Sequence, residues 1–167
     1  MASSEVAQLK ELLKLDPHPE CVGYFKEVYR SQQQVKRGDS VKDSVSSIYF
    51  LNEGGKKGKW RWLDSDETFV WIKGHVLTIH LLNPKDGTYT AVRIGDMTNA
   101  SSGTLTGFQF TIPAGCVFTS EVQKEGEYAL CACLVAPGWT FDDFHAPPQE
   151  ELLAKFPSHK EIILAFY

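Results

Sequence analysis

Residues 55–74 read GKKGKWRWLDSDETFVWIKG and residues 107–122 read GFQFTIPAGCVFTSEV. In the first block Gly55 is followed by five residues, then Arg61-Trp62-Leu63, three residues, Glu67, six residues and Gly74. In the second, Gly107 is followed by five residues, then Pro113-Ala114-Gly115, two residues, Phe118, three residues and Val122. Each block holds two short apolar runs parted by turn residues, so the spacing predicts strands at 60–63 and 67–73, and again at 107–112 and 116–122. Further β-like runs lie at 24–30, 45–51, 75–82, 88–94 and 127–135. Asp86-Gly87 is a strong tight-turn signal between two of them. Many short strands at this spacing argue for a sandwich or barrel. Ser4 to Leu15 places Val6, Leu9, Leu12 and Leu13 at helical spacing, with Ser3 or Ser4 to cap the start and Asp16-Pro17 to end it. Gln149 to Phe156 reads as a short helix stopped by Pro157, and 158–167 as a final helix or strand. The polar stretch 31–44 and residues 136–148 read as loops, the first of them mobile.

The chain has 167 residues, 43% of them hydrophobic and 23% charged. That is the size and make-up of one domain with a sizeable core. A formal net charge of −4 argues against wholesale binding to a nucleic-acid backbone. No apolar run approaches the ~20 residues of a membrane span. The start, MASSEVAQLKELL, does not read as a secretory signal. Cys21, Cys116, Cys131 and Cys133 read as reduced thiols of a cytoplasmic protein, because Cys131 and Cys133 share one side of a strand in poor disulfide geometry. Asn99-Ala100-Ser101 has the form of a glycosylation acceptor, which has no consequence without secretion.

The two blocks resemble the glycine-punctuated motifs of the cupin barrel. In that motif pair three histidines and a glutamate hold a metal. Here Arg61, Leu63 and Phe118 stand at the histidine positions and Glu67 alone remains, whereas a divalent site needs three or four converging donors. More of the chain resembles one small cupin family of unassigned function, similar to the deoxysugar nucleotide 3,5-epimerases. The carrying segments are Pro17-His18-Pro19-Glu20-Cys21-Val22-Gly23-Tyr24-Phe25, Ile48-Tyr49-Phe50-Leu51, Trp60-Arg61-Trp62-Leu63-Asp64-Ser65-Asp66-Glu67, Ile112-Pro113-Ala114-Gly115 and Val135-Ala136-Pro137-Gly138-Trp139-Thr140-Phe141-Asp142-Asp143-Phe144. The chain departs from the family where Arg61, Trp62, Val70 and Val117 replace histidine, arginine, histidine and an aromatic. The resemblance implies an all-β cupin double-stranded β-helix, a jelly-roll barrel with short terminal helices. It is a single domain over 1–167: an N-terminal helix in 1–16, the barrel in 24–145 and a C-terminal helical segment in 149–167. It also implies a homodimer.

Several residues are candidates for chemistry. Arg61, Glu67 and Phe118 face the lumen in a cupin, and alternation adds Leu63, Phe69 and Trp71. Two arrangements fit: a pocket in which Arg61 binds an anion and Glu67 accepts hydrogen bonds, or an Arg61–Glu67 ion pair filling the vacated metal site. Lys56, Lys57, Lys59 and Arg61 lie interleaved with Trp60 and Trp62, which suits phosphates and a nucleobase; the more common arrangement of such a run is a solvated lysine loop beside core indoles. Gln109 is a pocket amide or a solvent-facing strand residue. Tyr49 reaches the lumen or packs with its tip wet. Phe141-Asp142-Asp143-Phe144-His145 contains an acid–base pair or a structural turn whose aromatics seal one end of the barrel. His18 reads as structural. His75 and His80, placed in one strand, point to opposite faces. No nucleophile elbow, phosphate loop or dinucleotide fingerprint is present.

These readings combine into a metal-independent, cofactor-free cupin that binds a small molecule, with a nucleotide or nucleotide-sugar as ligand class. Its expected ligand-binding residues are Tyr49, Lys57, Lys59, Trp60, Arg61, Glu67, Trp71, Gln109 and Phe118. The alternative is a sugar-nucleotide epimerase or isomerase, with Glu67 as base and Tyr49 as acid. No nucleic-acid or membrane partner is expected.

Overall fold

The apolar run YALCACLVA forms the strand on which the rest of the barrel is hung. In the computed structural model, which describes residues 2–99 and 104–167 (Ala2 and Ser3 by backbone only), the chain order is α1 (Ala2–Leu13), β1 (Asp16–Pro17), β2 (Tyr24–Arg30), β3 (Gln34–Arg37), β4 (Ser40–Asp43), β5 (Ser46–Glu53), β6 (Trp62–Leu63), β7 (Asp66–Gly74), β8 (Leu77–Leu82), β9 (Tyr89–Ile94), β10 (Gln109–Ile112), β11 (Val117–Glu121), β12 (Tyr128–Ala136), β13 (Phe144–His145), α2 (Gln149–Lys155) and α3 (Lys160–Leu164). Strand β12 lies between β5 and β7 in a six-stranded sheet of order β1-β2-β5-β12-β7-β10. A three-stranded sheet, β11-β8-β9, faces it, and the antiparallel bridge Arg61↔Phe118 ties the run into β6 to the second sheet. This is an all-β jelly-roll barrel with short helices at both ends.

Three apolar clusters hold it together. Phe50, Phe69, Ile79, Phe118 and Cys131 fill the space between the sheets. Helix α1 and the turn after it cover the outer face of the large sheet, packing Val6 and Leu15 on Leu51, Tyr128 and Leu130. The C-terminal helices cover the outer face of the small sheet, setting Leu152, Phe156 and Ile163 against Trp60, Leu82 and Val117. Strand β8 is buried at all six positions because it is covered on both sides. Leu77, Ile79 and Leu81 alternate with Thr78 and His80, and the two polar residues are buried as well, at 5% exposure each.

The stretch 31–44, expected as a mobile loop, instead forms the hairpin β3–β4. Gly38 supplies the positive φ of +58° that its turn requires. Backbone bonds Ser31 N to Val45 O (2.9 Å) and Ser44 N to Gln33 O (2.8 Å) close its base. Residues 158–167 hold α3 and no strand. His75 lies ahead of β8, not in a strand with His80; its N–H bonds Tyr128 O at 2.6 Å. Ala100 and Ser101 of the acceptor-like triplet lie outside the described residues. Among those described, no helix is long and apolar enough to cross a membrane.

Candidate functional site

Strand alternation decides which side chains reach the inside of the barrel. Along β7, Glu67 and Phe69 are buried while Thr68 and Val70 are only half-buried, so Glu67 points inward. It pairs through the backbone with Ile112 on β10 and Val135 on β12. Arg61 is held by two backbone bonds to Phe118, 2.9 Å from its N–H and 2.8 Å to its carbonyl. Its guanidinium carbon lies over the Phe118 ring, 4.2 Å from the centroid. Arg61 and Glu67 both enter one cavity of about 60 Å³, with Phe50, Cys133, Trp139 and Phe144 among its walls. A mostly apolar cleft with a few convergent polar groups has the make-up of a small-molecule site.

The polar groups of this cavity are poorly satisfied. Arg61 is 4% exposed. Of its five N–H donors, the hydrogen bond that forms is Nη1 to Lys59 O at 3.3 Å. Among the described residues it has no carboxylate within 4.0 Å, so of the two arrangements the sequence allowed, the Arg61–Glu67 ion pair does not form. Glu67 is 8% exposed, and its Oε2 is buried without a hydrogen-bond partner. Burial pushes its carboxyl up to about 7, against a smaller opposing pull from the Arg61 charge.

A third polar group comes from the loop between β1 and β2. His18 Nδ1 accepts the backbone N–H of Glu20 (3.1 Å) and of Cys21 (2.9 Å). Two donors on Nδ1 place the ring proton on Nε2. Burial, aided by the Arg61 charge, lowers its pKa to about 4, so the ring is a neutral N–H donor. It packs on Phe25 at 4.8 Å between centroids. Cys21 and Cys133 also line the cavity as free thiols, both raised by burial.

The expected site residues separate into three groups. Arg61 and Glu67 meet in the cavity, with Phe118 as the platform under the guanidinium. Trp71 also lies on the inner face of β7, but farther along, where its Nε1 donates to His75 O at 3.1 Å and its ring meets Phe108; it does not line the cavity. The rest point elsewhere. Tyr49 faces outward under α1, because its neighbours Ile48 and Phe50 take the inner face. Gln109 is exposed on the outer face opposite Val70. Trp60 is 1% exposed beneath the C-terminal helices and donates Nε1–H to Ile163 O at 3.2 Å. Lys57 Nζ donates to Ala165 O at 2.7 Å, and Lys59 is exposed outside the cavity lining. Of Phe141 to His145, Phe144 lines the cavity, Asp143 is buried in a separate ion-pair cluster, and His145 Nε2 meets Asp64 Oδ1 at 3.1 Å. His18 and Trp139 were missed as cavity residues; the resemblance had marked both of their segments.

The donor set does not fit a divalent metal. Glu67 is the one motif carboxylate, and a guanidinium lies across the Phe118 ring where two further ligands would be needed. Among the described residues no three of His, Cys, Asp and Glu converge as a metal site.

Residues 7–146 match the family model described as Cupin superfamily (DUF985), Cupin_5. A hypothetical protein from Leishmania major is 29% identical, with a TM-score of 0.84 over 96% of this chain and 97% of that one. A protein from Shewanella oneidensis is 33% identical, with a TM-score of 0.81 over 95% and 94%. Oxalate decarboxylase from Bacillus subtilis, at 16% identity and a TM-score of 0.54, shares the fold over 87% of this chain and 35% of its own. No curated protein matches the chain.

Proposed function

The chain belongs to the Cupin_5 family (DUF985) of the cupin superfamily, and on that premise we propose that it binds a small organic anion in its barrel lumen without a metal. One observation carries this reading: Arg61 is a buried cation that faces a cavity and has no carboxylate within 4.0 Å among the described residues. A buried charge costs several kcal/mol unless paired. A desolvated cation–π contact returns about 2 kcal/mol or somewhat more of that. An anion entering between Arg61 and His18 Nε2–H would complete the pairing.

A nucleotide or nucleotide-sugar was the ligand class suggested by the lysine and tryptophan loop. Trp60 and Lys57 are committed to the C-terminal helices instead. The anion site therefore rests on Arg61, Glu67 and His18, and the body of the ligand on Phe25, Phe50, Trp139 and Phe144. A second reading, proton transfer in an epimerase-like reaction, is favoured by the Glu67 carboxyl near 7, where a general base is best poised. In it His18, rather than the outward Tyr49, would donate a hydrogen bond to the substrate carbonyl. Solvent deuterium entering a keto-sugar nucleotide, with loss of exchange in Glu67→Gln, is its signature.

The test is a thermal-shift screen of nucleoside phosphates, nucleotide sugars and small carboxylic acids. It compares the native protein with Arg61→Met and with Lys57→Ala/Lys59→Ala. A ligand at about 100 times its Kd adds about 2.7 kcal/mol, a shift of several degrees. The expected shift disappears in Arg61→Met and persists in the double lysine variant. A shift that survives Arg61→Met sinks the assignment.

A further inference from the structure

We propose that the anion taken by the cavity is a carboxylate, and that it enters with one proton carried on Glu67. This rests on the reading of the lumen as an anion site and adds which anion it is built for.

The first argument is geometric. Arg61 and Glu67 are both more than nine-tenths buried and line the same cavity, yet they do not pair. Among the described residues no donor is directed at Glu67 Oε2. A carboxyl in that position is stable as the acid, and an acid offers an O–H. A ligand carboxylate lodged between the two residues accepts from the guanidinium with one face and from the Glu67 hydroxyl with the other. Both protein groups are planar, and a planar two-oxygen anion matches them.

The second argument is a count of charge over every titratable or charged group of the cavity: His18, Cys21, Glu27, Arg61, Glu67 and Cys133. His18 is neutral with Nδ1 engaged. Glu27 is paired at the rim with Arg30, 2.7 Å away, whose other face bonds Asp43 at 3.2 Å outside the cavity lining. Burial keeps both thiols protonated. One cation remains, Arg61. A monocarboxylate beside protonated Glu67 leaves the filled cavity neutral. A phosphate dianion leaves it one charge negative, with nothing further to pair. The binding step is therefore the carboxylate plus ionised Glu67 plus one proton, giving a carboxylate hydrogen-bonded to a neutral acid. No covalent bond changes. The Glu67 carboxyl at about 7 in the free protein puts this linkage in the neutral range.

The linkage has a definite sign. Below about pH 7 Glu67 already holds its proton and affinity is flat. Above it, each pH unit removes up to about tenfold in affinity, because the proton must be taken from solution.

The experiment is calorimetric titration of the full chain from pH 6 to 8.5, in buffers of different ionisation heat. Benzoate and propionate are the carboxylate probes, and inorganic phosphate and phenyl phosphate the competitors. The expected result is binding of a carboxylate that weakens about tenfold between pH 7.5 and 8.5, with close to one proton taken up per ligand at pH 8.5 and close to none at pH 6. Glu67→Gln, whose amide N–H replaces the acid O–H, retains binding and loses both effects. A flat profile, a slope that persists in Glu67→Gln, or tighter binding of the phosphates in an Arg61-dependent manner overturns the carboxylate inference and leaves the anion site standing. Binding of none of the four probes, or binding unchanged in Arg61→Met, overturns both.

Discussion

Glu67 and Asp143 are both buried carboxylates, 8% and 3% exposed, and the protein treats them in opposite ways. Asp143 is enclosed by donors. Lys42 Nζ reaches its two oxygens at 3.0 and 2.9 Å, and Thr140 gives a backbone N–H at 3.0 Å and a hydroxyl at 2.7 Å. Arg37 adds a contact at 3.4 Å. Burial alone would raise its pKa, but the bonds from Lys42 and Thr140 outweigh that and hold it below the ordinary carboxylate range. Glu67 has a buried oxygen with no donor among the described residues, and its pKa rises to about 7. Burial is common to both; the supply of donors is not. Asp143 fastens the β3–β4 hairpin to the turn after Gly138. Glu67 is left able to bond something the chain does not contain.

The comparison is broken most severely at Asp143. Asp143→Ala leaves half-buried Lys42 with only Thr140 Oγ1, at 2.7 Å, from its present partners and strips Thr140 of its acceptor, and is expected to cost about 3 kcal/mol, read as a lower midpoint in urea. The pH dependence follows from a depressed carboxyl: its contribution is present above the ordinary carboxylate range and is lost as pH falls through the folded value. Asp143→Asn should lack that acid-side loss.

Glu67→Gln should act with the opposite sign. A carboxyl raised to about 7 when folded binds protons that the unfolded chain has already released. The stability of the wild type relative to Glu67→Gln therefore falls from about pH 4.5 to 7, by roughly 3 kcal/mol, and is level above that. Denaturation curves of the two proteins at pH 4.5, 6 and 8 measure it. Parallel stabilities across that range would mean that Glu67 finds donors in solution and that the contrast with Asp143 is lost.

How much of this was legible in the chain varies with the distance over which it is decided. The glycine and proline spacing of residues 55–74 and 107–122 carried the resemblance to the cupin motifs, and that resemblance brought Arg61, Glu67 and Phe118 together; the bridge that joins Arg61 to Phe118 links distant parts of the chain, and only the alternation along each strand is a local rule. Tyr49 was harder. Helix α1 covers the outer face of β5, so both faces of Ile48-Tyr49-Phe50-Leu51 are apolar and parity cannot be read from pattern alone. The hairpin at 31–44 has too few apolar residues to announce itself; its ion pairs to Asp143 lie about a hundred residues away. His18 was read as structural because its tautomer is set by two loop N–H groups that no spacing rule reveals.

The loop at 54–60 is the sharpest case, and it yields the smallest expected effect. Its glycines and lysines have the composition of a phosphate cradle, but a close backbone approach explains the glycines. A Cβ on Gly58 would lie 2.7 Å from Ser120 O, and one on Gly54 would lie 1.9 Å from Lys124 O. Lys57 is then an exposed side chain resting on the last turn of the C-terminal segment through Ala165 O. An exposed bond of that kind adds little, so Lys57→Ala should change stability by less than about 0.5 kcal/mol. It should leave every ligand-induced shift of the native protein intact. Arg61, four residues along the same run, is the control: its loss should abolish those shifts. Should Lys57→Ala weaken anion binding as much as Arg61→Met does, the cations of this loop act together at the cavity mouth, and the division between a packing loop and a binding lumen is misplaced.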